Sequence, residues 1–466
     1  MIKITIVGAG SIVFSAHLLS DLTLNENLRK SNADIFLFDI NTERLNAVYQ
    51  LAMQLVKARG AKINVYKADS RKEALQSADF VINTAFVPGY KRMEIERQVA
   101  EKHGYYRGIG ERVSDYYGTI GAYHQLQFFL DLAKSIMEYC PHAWLLQSAN
   151  PVFEGCTLLG RFTECKVVGM CHGYAKVKEI VDALGVEYEA VHFQVAGFNH
   201  CIWLTKFLVA GGDGYAMIEQ WFREKALEWW SSEEYMFDAR RYQLSPAAFA
   251  MYKLYGLFPI GDTVRSVSPW WFNIDLKTKQ KWFPAGGMDS EIGWLCRLSR
   301  NMDQLQVYLD VGQGKREVMQ AVPTQMSGEP HIPFIDSVVN NRPARLVLNI
   351  PNKNVIKEIP SDVFIETHCQ ILGDRITPEE VPPLPRRLIF YILIPRWLQM
   401  ERVLGNFVDR DRGGLILSVL EDRRTSSLEE AEQVVDELLK LPWNEEAAQH
   451  YRRPLYEWMP QMGDML

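Results

Sequence analysis

Short apolar runs alternate with amphipathic stretches along the chain up to about residue 200. The apolar runs have the length of buried strands, and they lie at 2–7, 33–40, 62–68, 79–85, 143–151 and 166–171. Stretches with the period of a helix occupy 11–22, 41–58, 70–78 and 123–140. Strands that alternate with helices in this way predict βαβ units and a parallel α/β sheet.

The pattern changes in the second half of the chain. Helical stretches are predicted at 213–230, 245–258 and 426–441, and strands at 344–352 and 362–368. The last helix begins with Ser427 and Glu430, which have the spacing of a capping box. We expect the two strands to belong to a separate sheet, and we divide the chain into an α/β domain at 1–197 and an α+β domain at 198–466.

Composition narrows the class of protein. The chain has 466 residues, a net charge of −6 and no run of Lys and Arg, so a nucleic-acid partner is not expected. Seven cysteines without a CxxC pair argue against a disulfide framework or a structural zinc module. No stretch reaches the roughly 18 consecutive apolar residues of a membrane span, and no signal peptide is recognisable. We therefore expect a cytoplasmic protein without a membrane partner.

A glycine turn joins the first strand to the first helix. Gly8, Gly10 and Ser11 stand where backbone N–H groups and the helix dipole could hold a pyrophosphate. Asp39 ends the second strand, where its carboxylate could bind an adenosine ribose and favour NAD over NADP. Val13 replaces the third glycine of the fingerprint, and a structural glycine turn remains the alternative. The predicted fold is a Rossmann-type NAD-binding domain, like that of lactate and malate dehydrogenases, with a C-terminal α+β domain.

Cysteine and histidine stand side by side at the end of a predicted strand, in VVGMCHGYAKV at 167–177. A second histidine, His200, follows another apolar run. Because strand-end loops of a parallel sheet converge on one edge, Cys171 and His200 could meet there and hold a divalent cation. A buried cysteine and a core histidine explain the same residues without a metal, so both interpretations stay open.

Seven short motifs together resemble glycoside hydrolase family 4, whose members need NAD and a divalent metal. They are GAGS at 8–11, SANP at 148–151, CHGY at 171–174, FNH at 198–200, PIGDTVR at 259–265, SGEPHIPFI at 327–335 and LNIPN at 348–352. The motifs occur in the family's order and extend over nearly the whole chain. The family is an exception to the two-carboxylate scheme of other glycosidases.

The resemblance implies hydrolysis by redox elimination. NAD+ would take a hydride from C3 of the sugar, which acidifies the proton at C2. A base would remove that proton while the metal stabilises the enediolate. The aglycone would then leave C1 with help from an acid, water would add, and NADH would return the hydride.

The same resemblance assigns the central residues. Cys171 and His200 match the metal ligands, and we expect the metal to be Mn2+. His172 follows the metal cysteine, where phospho-glycosidases carry their acid, and it is the candidate acid here; binding a sugar hydroxyl is its alternative role. Asp262 matches the base of α-glucosidase-like members and is the candidate base here. Its alternative roles are to bind the substrate or to support another site residue.

Further residues are predicted to contact the ligands. Asn150 and Arg265 would bind sugar hydroxyls, although Arg265 could instead pair with Asp262 for structural reasons. Asp115 is another candidate at the substrate site. Asn83 would contact the cofactor, and capping of a strand end is its alternative role.

The tetrad that begins at the metal cysteine is a clue to the substrate. CHGY at 171–174 is of the form found in enzymes acting on unphosphorylated α-glucosides and α-glucuronides. We predict an α-glucosidase, with an α-glucuronidase as the alternative. An NAD-dependent 2-hydroxyacid dehydrogenase and a non-catalytic NAD sensor are alternatives of other classes. Members of the family usually form dimers or tetramers, so a homodimer or homotetramer is expected.

Overall fold

A single sheet of 13 strands runs through the computed structural model of the chain, which describes residues 2–105, 116–287 and 291–452. The strands are β1 (Lys3–Val7), β2 (Ala33–Phe38), β3 (Ile63–Lys67), β4 (Phe80–Asn83), β5 (Trp144–Gln147), β6 (Lys166–Gly169), β7 (Val191–Phe198), β8 (Cys201–Val209), β9 (Gly212–Asp213), β10 (Phe258–Ile260), β11 (Ala344–Pro351), β12 (Phe364–Leu372) and β13 (Arg375–Pro378). Their order is β10-β8-β7-β12-β11-β6-β5-β4-β1-β2-β3, with β13 beside β12 and β9 beside β8.

The half of the sheet from β3 to β6 is parallel, as predicted. Its order, β3-β2-β1-β4-β5-β6, is that of a dinucleotide-binding fold with helices on both faces. In register, Ile4 lies between Ile35 and Phe80, and all three side chains are buried. Strands that are covered on both faces need apolar residues throughout, which explains the continuous apolar runs in the sequence.

The expectation of a separate second sheet is wrong. Strand β11 pairs antiparallel with β6, and β12, β7, β8 and β10 follow it in the same sheet. At the junction, Gly169 of β6 faces Asn349 of β11, and a Cβ at Gly169 would lie only 2.6 Å from that of Asn349. The parallel half therefore continues directly into an antiparallel extension, and the boundary predicted between residues 197 and 198 falls inside β7.

Helices connect many of the strands and pack against the sheet. The α-helices are Ile12–Leu24, Thr42–Arg59, Arg71–Leu75, Gly89–Lys102, Tyr116–Tyr139, Val152–Phe162, Val177–Leu184, Gly214–Glu224, Ala226–Trp230, Glu233–Met236, Pro246–Tyr255, Thr263–Ser266, Leu276–Trp282, Glu291–Gly312, His331–Asn340, Arg386–Leu388, Ile394–Asp409, Arg412–Leu420, Leu428–Leu439 and Glu445–His450. In the part of the chain that the structure describes, none of these helices is long and apolar enough to cross a membrane.

Helix Val152–Phe162 joins the two halves of the sheet. Its Glu154 is fully buried and accepts a hydrogen bond of 2.8 Å from Arg396, which lies on helix Ile394–Asp409. Its Phe153 stacks on Phe198 at the end of β7, with ring centroids 4.4 Å apart. The buried ion pair thus fixes this helix to helix Ile394–Asp409, and the aromatic stack fixes it to the end of β7, which leads into the loop of His200.

Candidate active site

The glycine turn after β1 has the geometry that the sequence predicted. Gly8 and Ala9 donate their backbone N–H groups to the carbonyl of Phe38, at 2.9 and 3.1 Å. Gly8 has φ of +85°, and a Cβ there would lie 2.4 Å from the backbone nitrogen of Ala85. Only glycine fits this position, because it combines a left-handed backbone with direct contact between two chain segments.

Asp39 closes the turn from the end of β2. Its Oδ2 accepts a hydrogen bond of 2.8 Å from Gly10 N–H, and its Oδ1 accepts one of 2.7 Å from Asn41 N–H. Ser11 precedes helix Ile12–Leu24, but its hydroxyl does not cap that helix. The helix N-terminus and the carboxylate therefore lie together at the carboxyl ends of β1 and β2, where Rossmann-type folds bind a dinucleotide.

Asn83 is fully buried at the end of β4. Its side chain donates to Oε1 of Gln147 at 2.9 Å and accepts from Ala85 N–H at 3.1 Å. These bonds give Asn83 the strand-end capping role that was its alternative. The predicted contact with the cofactor stays a prediction.

The loop after β6 carries the cysteine–histidine pair. It is held against the loop after β10, because a Cβ at Gly261 would lie 2.5 Å from the carbonyl oxygen of Gly173. Tyr174 donates its hydroxyl to the carbonyl of Gly328 at 2.7 Å, which fixes the loop to a third segment. Cys171 is partly buried between these segments. The loop of Cys171 therefore lies beside the loop after β10 and the segment of Gly328, and its predicted meeting with His200 stays a prediction.

His200 lies in the two-residue hairpin between β7 and β8, with φ of +58° and a buried side chain. Its Nε2 is 3.3 Å from Oδ2 of Asp262. The loop of Asp262 is fixed to β8 by Thr263, whose hydroxyl donates to the Ile202 carbonyl at 3.0 Å and accepts from the Ile202 N–H at 2.7 Å. The antiparallel extension thus places two of the predicted site residues in contact.

Asp262 has three partners. Besides His200, Arg265 donates from Nε and Nη2 to Oδ1 at 3.0 and 2.8 Å, and the Tyr242 hydroxyl donates to the same oxygen at 2.9 Å. Burial favours the protonated acid, but Arg265 and His200 outweigh it and hold the pKa of Asp262 well below its usual range. The residue is therefore a carboxylate at neutral pH. The pairing of Arg265 with Asp262 that we weighed as its structural role is present.

The surroundings of Cys171 suit a cation. Burial raises the pKa of the Cys171 thiol well above its ordinary value, and Glu366, Asp262 and Glu329 raise it further. A thiolate among carboxylates is unfavourable unless a positive charge compensates it. Cys171 and His200 also combine the soft sulfur and borderline nitrogen donors that bind Mn2+ less tightly than Zn2+ yet leave positions for substrate oxygens. The described residues hold no group of three or more His, Cys, Asp or Glu side chains arranged to bind a metal. The chemistry of Cys171 and His200 therefore fits a divalent metal only as a pair of ligands, with substrate oxygens needed to complete its coordination.

His172 is bound by a glutamate that the sequence analysis did not single out. Its Nδ1 lies 2.6 Å from Oε1 of Glu329, whose side chain is 2% exposed. Partial desolvation of the imidazole by the surrounding protein works against protonation, but the carboxylates of Glu329 and Asp262 raise the pKa of His172 overall. His17, on the helix that follows the glycine turn, is also within electrostatic range of Glu329. The helix after the glycine turn thus lies within electrostatic range of Glu329 and His172.

A buried amide–acid cluster lies behind the loops. Glu366 of β12 accepts hydrogen bonds from Asn199 and Asn349, at 2.9 and 3.1 Å. Burial raises the pKa of Glu366 to about 7, which the two amide donors only partly offset. Asn199 directly precedes His200, so this cluster fixes the hairpin that carries the predicted metal ligand.

Two further predicted residues are less well defined by contacts. Asn150 precedes a cis peptide bond to Pro151, and its buried Oδ1 has no hydrogen-bond partner among the described residues. Such an acceptor is free to bind a ligand N–H or O–H group. Asp115 lies outside the described residues.

Sequence reasoning missed Tyr242, Glu329 and Glu366. Glu329 falls within the SGEPHIPFI stretch at 327–335, so the resemblance contained a signal for it. Tyr242 and Glu366 lie in no quoted motif, and only their contacts with Asp262 and Asn199 reveal them.

The fold and these strand-end residues define a Rossmann-type α/β protein with a polar site beside its nucleotide-binding turn. Two family models match the chain: "Family 4 glycosyl hydrolase" over residues 3–187 and "Family 4 glycosyl hydrolase C-terminal domain" over residues 195–425. The chain belongs to glycosyl hydrolase family 4 and is a glycosidase. This assignment confirms the resemblance and sets aside the dehydrogenase alternative.

Similar proteins include glycosidases of several specificities. An alpha-galacturonidase from Thermoanaerobacterium saccharolyticum is 25% identical over 94% of this chain and 95% of its own length. An alpha-galactosidase from Bacillus subtilis is 32% identical, but the match covers 48% of this chain and 52% of that protein. Identity at this level supports the family and leaves the sugar open.

Solved structures confirm the fold. A putative glucosidase, lplD, from Bacillus subtilis superposes with a TM-score of 0.79 at 22% identity, covering 94% of this chain and 100% of that one. A 6-phospho-alpha-glucosidase from gut microorganisms, in complex with NAD and Mn2+, superposes with a TM-score of 0.75 at 17% identity, covering 96% and 98%.

Proposed function

We propose that the protein hydrolyses unphosphorylated α-glucosides by redox elimination, with NAD+ and a divalent metal such as Mn2+. The observation that carries this proposal is that, at one end of the sheet, Asp262 lies 3.3 Å from His200 and within electrostatic range of Cys171 and His172. The same end holds the glycine turn, and Phe14 of the helix after that turn contacts His331 with ring centroids 5.3 Å apart. Redox chemistry and elimination both require the cofactor and the polar residues to face the same sugar.

The cofactors would be held by separate parts of the site. Gly8, Gly10, Ser11 and Asp39 would bind NAD, and Cys171 with His200 would bind the metal. When bound, NAD+ supplies a hydride acceptor for C3 of the sugar, and the metal supplies positive charge for the developing enediolate. Asn150 and Arg265 would bind sugar hydroxyls.

The proton transfers belong to two side chains. Asp262 would take the C2 proton, and the electron pair of that C–H bond would delocalise into the neighbouring ketone. His172 would then donate a proton from its ring to the glycosidic oxygen while the C1–O bond breaks and C1 and C2 become doubly bonded. When water adds at C1, His172 would take a proton from it and Asp262 would return the proton to C2. C3 would regain its hydride from bound NADH, and solvent would return the proton to O3, which gives the free sugar and restores both side chains.

The low pKa of Asp262 bears on its role as a base. Its carboxylate is ionised at any working pH, but its hydrogen bonds to Arg265 and Tyr242 reduce its basicity. The proposal therefore requires that the C2 proton be made acidic by prior oxidation at C3, which fits redox elimination. Arg265 can release Asp262 when it turns to a sugar hydroxyl.

An α-glucuronide is the second candidate substrate. Proteins named alpha-galacturonidase align with this chain over more than nine tenths of its length, although at only 25% identity or less. A uronate needs a cation near C6, and Lys176 lies close to the site, with its ammonium 5.4 Å from the ring centre of Tyr242. The same Lys176 pairs with Glu179, so its charge is already partly compensated.

A panel of p-nitrophenyl glycosides tests the proposal. The α-glucoside, α-glucuronide, α-galactoside and a 6-phospho-α-glucoside would each be assayed with NAD+ and Mn2+, without NAD+, and with a chelator. We expect the α-glucoside to be hydrolysed fastest, and only with both cofactors. Faster hydrolysis of the glucuronide would establish the second candidate, and hydrolysis that persists without NAD+ and metal would overturn redox elimination.

A further inference from the structure

We propose that Glu329 is a positioning residue that fixes the ring of His172 for proton transfer to the glycosidic oxygen. The inference rests on the proposed function, because it assumes that His172 is the acid. Glu329 has no role in the chemistry derived so far, and it would not touch the substrate. It would act only through His172.

The contact joins a buried carboxylate to an exposed ring. The side chain of His172 is 57% exposed, whereas that of Glu329 is 2% exposed, and 2.6 Å separates Nδ1 from Oε1. An exposed imidazole on a loop would otherwise rotate freely about its side-chain torsions. With Nδ1 engaged by Glu329, Nε2 is the ring nitrogen left to exchange a proton with the substrate.

Glu329 is itself held rigidly from the backbone side. Its N–H donates to the Ser327 hydroxyl at 3.1 Å, and Ser327 N–H donates to Oδ1 of Asp21 at 2.8 Å. Tyr174 binds the preceding carbonyl of Gly328 from the loop that carries His172. The loop of His172 and the segment of Glu329 are therefore joined by two contacts. One is between the side chains of His172 and Glu329, and the other is from Tyr174 to the backbone of Gly328.

A second imidazole stands on the other side of the carboxylate. His331 Nδ1 is 3.6 Å from Oε2 of Glu329, and His331 Nε2 shares a hydrogen bond of 2.5 Å with Ser148 of the SANP loop. Burial lowers the pKa of His331 to about 4, so this ring is neutral at working pH. Within the described residues, Glu329 has no ion pair with Lys or Arg. A buried carboxylate whose nearest side chain is His172, at 2.6 Å, is expected where the orientation of that histidine matters.

The test uses leaving groups that differ in their need for an acid. A 2,4-dinitrophenolate leaves C1 without a proton, whereas methanol needs one. We expect Glu329→Leu to lower kcat/KM for methyl α-glucoside by about 100-fold, within the range of general acid catalysis, and for 2,4-dinitrophenyl α-glucoside by less than about 5-fold. Glu329→Gln keeps an acceptor for Nδ1–H and should lose less than Glu329→Leu. Hydrogen–deuterium exchange at C2, which precedes C1–O cleavage, should persist in both variants.

The control is another contact between glutamate and histidine. Glu437, on helix Leu428–Leu439, lies 3.4 Å from His103 and 3.0 Å from Lys102, and Glu437→Leu should leave both substrates unaffected. Equal losses on both substrates in Glu329→Leu, or loss of C2 exchange, would overturn the positioning role. A wild-type protein without turnover or C2 exchange that depends on NAD+ and metal would instead overturn the proposed function itself, before any variant is compared.

Discussion

The turn after β1 builds its part of the site from backbone, whereas the loops after β6, β7 and β10 build their part from side chains. The glycine turn is fixed by hydrogen bonds between adjacent strands, such as that from Gly8 N–H to the Phe38 carbonyl. The loops of Cys171 and His200 are fixed by contacts between distant segments, such as Tyr174 with Gly328, 154 positions apart, and Asn199 with Glu366, 167 positions apart.

This difference separates two tasks. A cofactor used in every turnover needs a site that exists before substrate arrives, and main-chain geometry provides it at the ends of β1 and β2. The proposed elimination needs acid, base and metal ligands in relative positions that no single local motif can set. Buried acids and histidines from separate segments lie near these loops: Glu366 on β12, and Glu329 and His331 at the start of helix His331–Asn340. Changes at the glycine turn and at these loops should have separable effects on cofactor binding and turnover.

The largest effect is expected from Cys171→Ser. Loss of the thiolate should weaken metal binding and reduce metal-dependent turnover by about 1,000-fold or more, because the metal stabilises the enediolate. NAD binding, measured by fluorescence titration, should change little, since β4 and β5 lie between β1, which carries the glycine turn, and β6, which carries the loop of Cys171. Cys296→Ser is the matched control, because Cys296 is exposed. Equal loss of NAD binding and turnover would show that the glycine turn and the loop of Cys171 are not separate parts of the site.

Asp262→Asn should abolish deuterium exchange at C2 and slow turnover by about 100- to 1,000-fold, as expected for removal of a general base. The amide can still accept from Arg265, so the loop should retain its position. Exchange would be followed by NMR of the recovered sugar, with the exposed Asp182→Asn as the control. Normal exchange in Asp262→Asn would exclude it as the base and direct attention to Tyr242.

On the cofactor side, Gly8→Ala should be far more harmful than Gly60→Ala. Both residues have positive φ, +85° and +59°, but a Cβ at Gly60 meets nothing within 4 Å, whereas one at Gly8 meets Ala85. Gly60→Ala should cost about 1 kcal/mol of unfolding free energy, from backbone strain alone. Gly8→Ala should cost several times more or lose NAD binding. Urea unfolding and NAD titration measure both, and similar losses in the two variants would contradict the close approach at Gly8.

The smallest effect concerns how the unfolding free energy falls at acid pH, to which His368 in the antiparallel extension contributes. Burial lowers the pKa of His368 on β12 to about 3, so the folded state keeps it neutral while the unfolded chain protonates it below about pH 6.5. Protonation of the unfolded chain alone lowers the free energy of unfolding as the pH falls from 6.5 towards 3. At pH 5 this loss amounts to about 2 kcal/mol, and above pH 6.5 there is none.

His368→Asn removes this titration but keeps an acceptor for Val195 N–H, which now bonds Nδ1 at 3.2 Å. Between pH 7.5 and 5, the variant should therefore lose about 2 kcal/mol less unfolding free energy than the wild type. The control is the same substitution at an exposed histidine, His192→Asn, which should leave the pH dependence of the unfolding free energy as in the wild type. An equal loss in wild type and His368→Asn would show that His368 is not what makes the extension sensitive to acid.

Local features were predictable from the sequence. The βαβ pattern defined the parallel half, and Gly8, Gly10 and Asp39 were located because a few adjacent positions determine the turn. Ser427 caps helix Leu428–Leu439 by accepting from Glu430 N–H at 3.2 Å, as its spacing indicated. Such features depend on residues a few positions apart, which a single sequence displays directly.

Features that depend on residues far apart in the chain could not be predicted from the sequence. The merging of β11 with β6 depends on Gly169 facing Asn349, and no local pattern reveals that pairing. Cys171 and His200 were found only through family resemblance, because their spacing fits core residues equally well. Glu329 and Tyr242 became visible once their contacts with His172 and Asp262 were known.

The strand order also has a consequence for how the chain can fold. Strand β7 follows β6 in sequence, yet the hairpin of β11 and β12 lies between them in the sheet. A chain cut after residue 197, or one still emerging from the ribosome, would leave β6 with a bare edge that invites pairing with another chain. In a growing chain that has passed β8 but not β12, Asn199 beside His200 would lack its hydrogen-bond acceptor Glu366. The glycosidase centre can therefore assemble only after synthesis has passed residue 372.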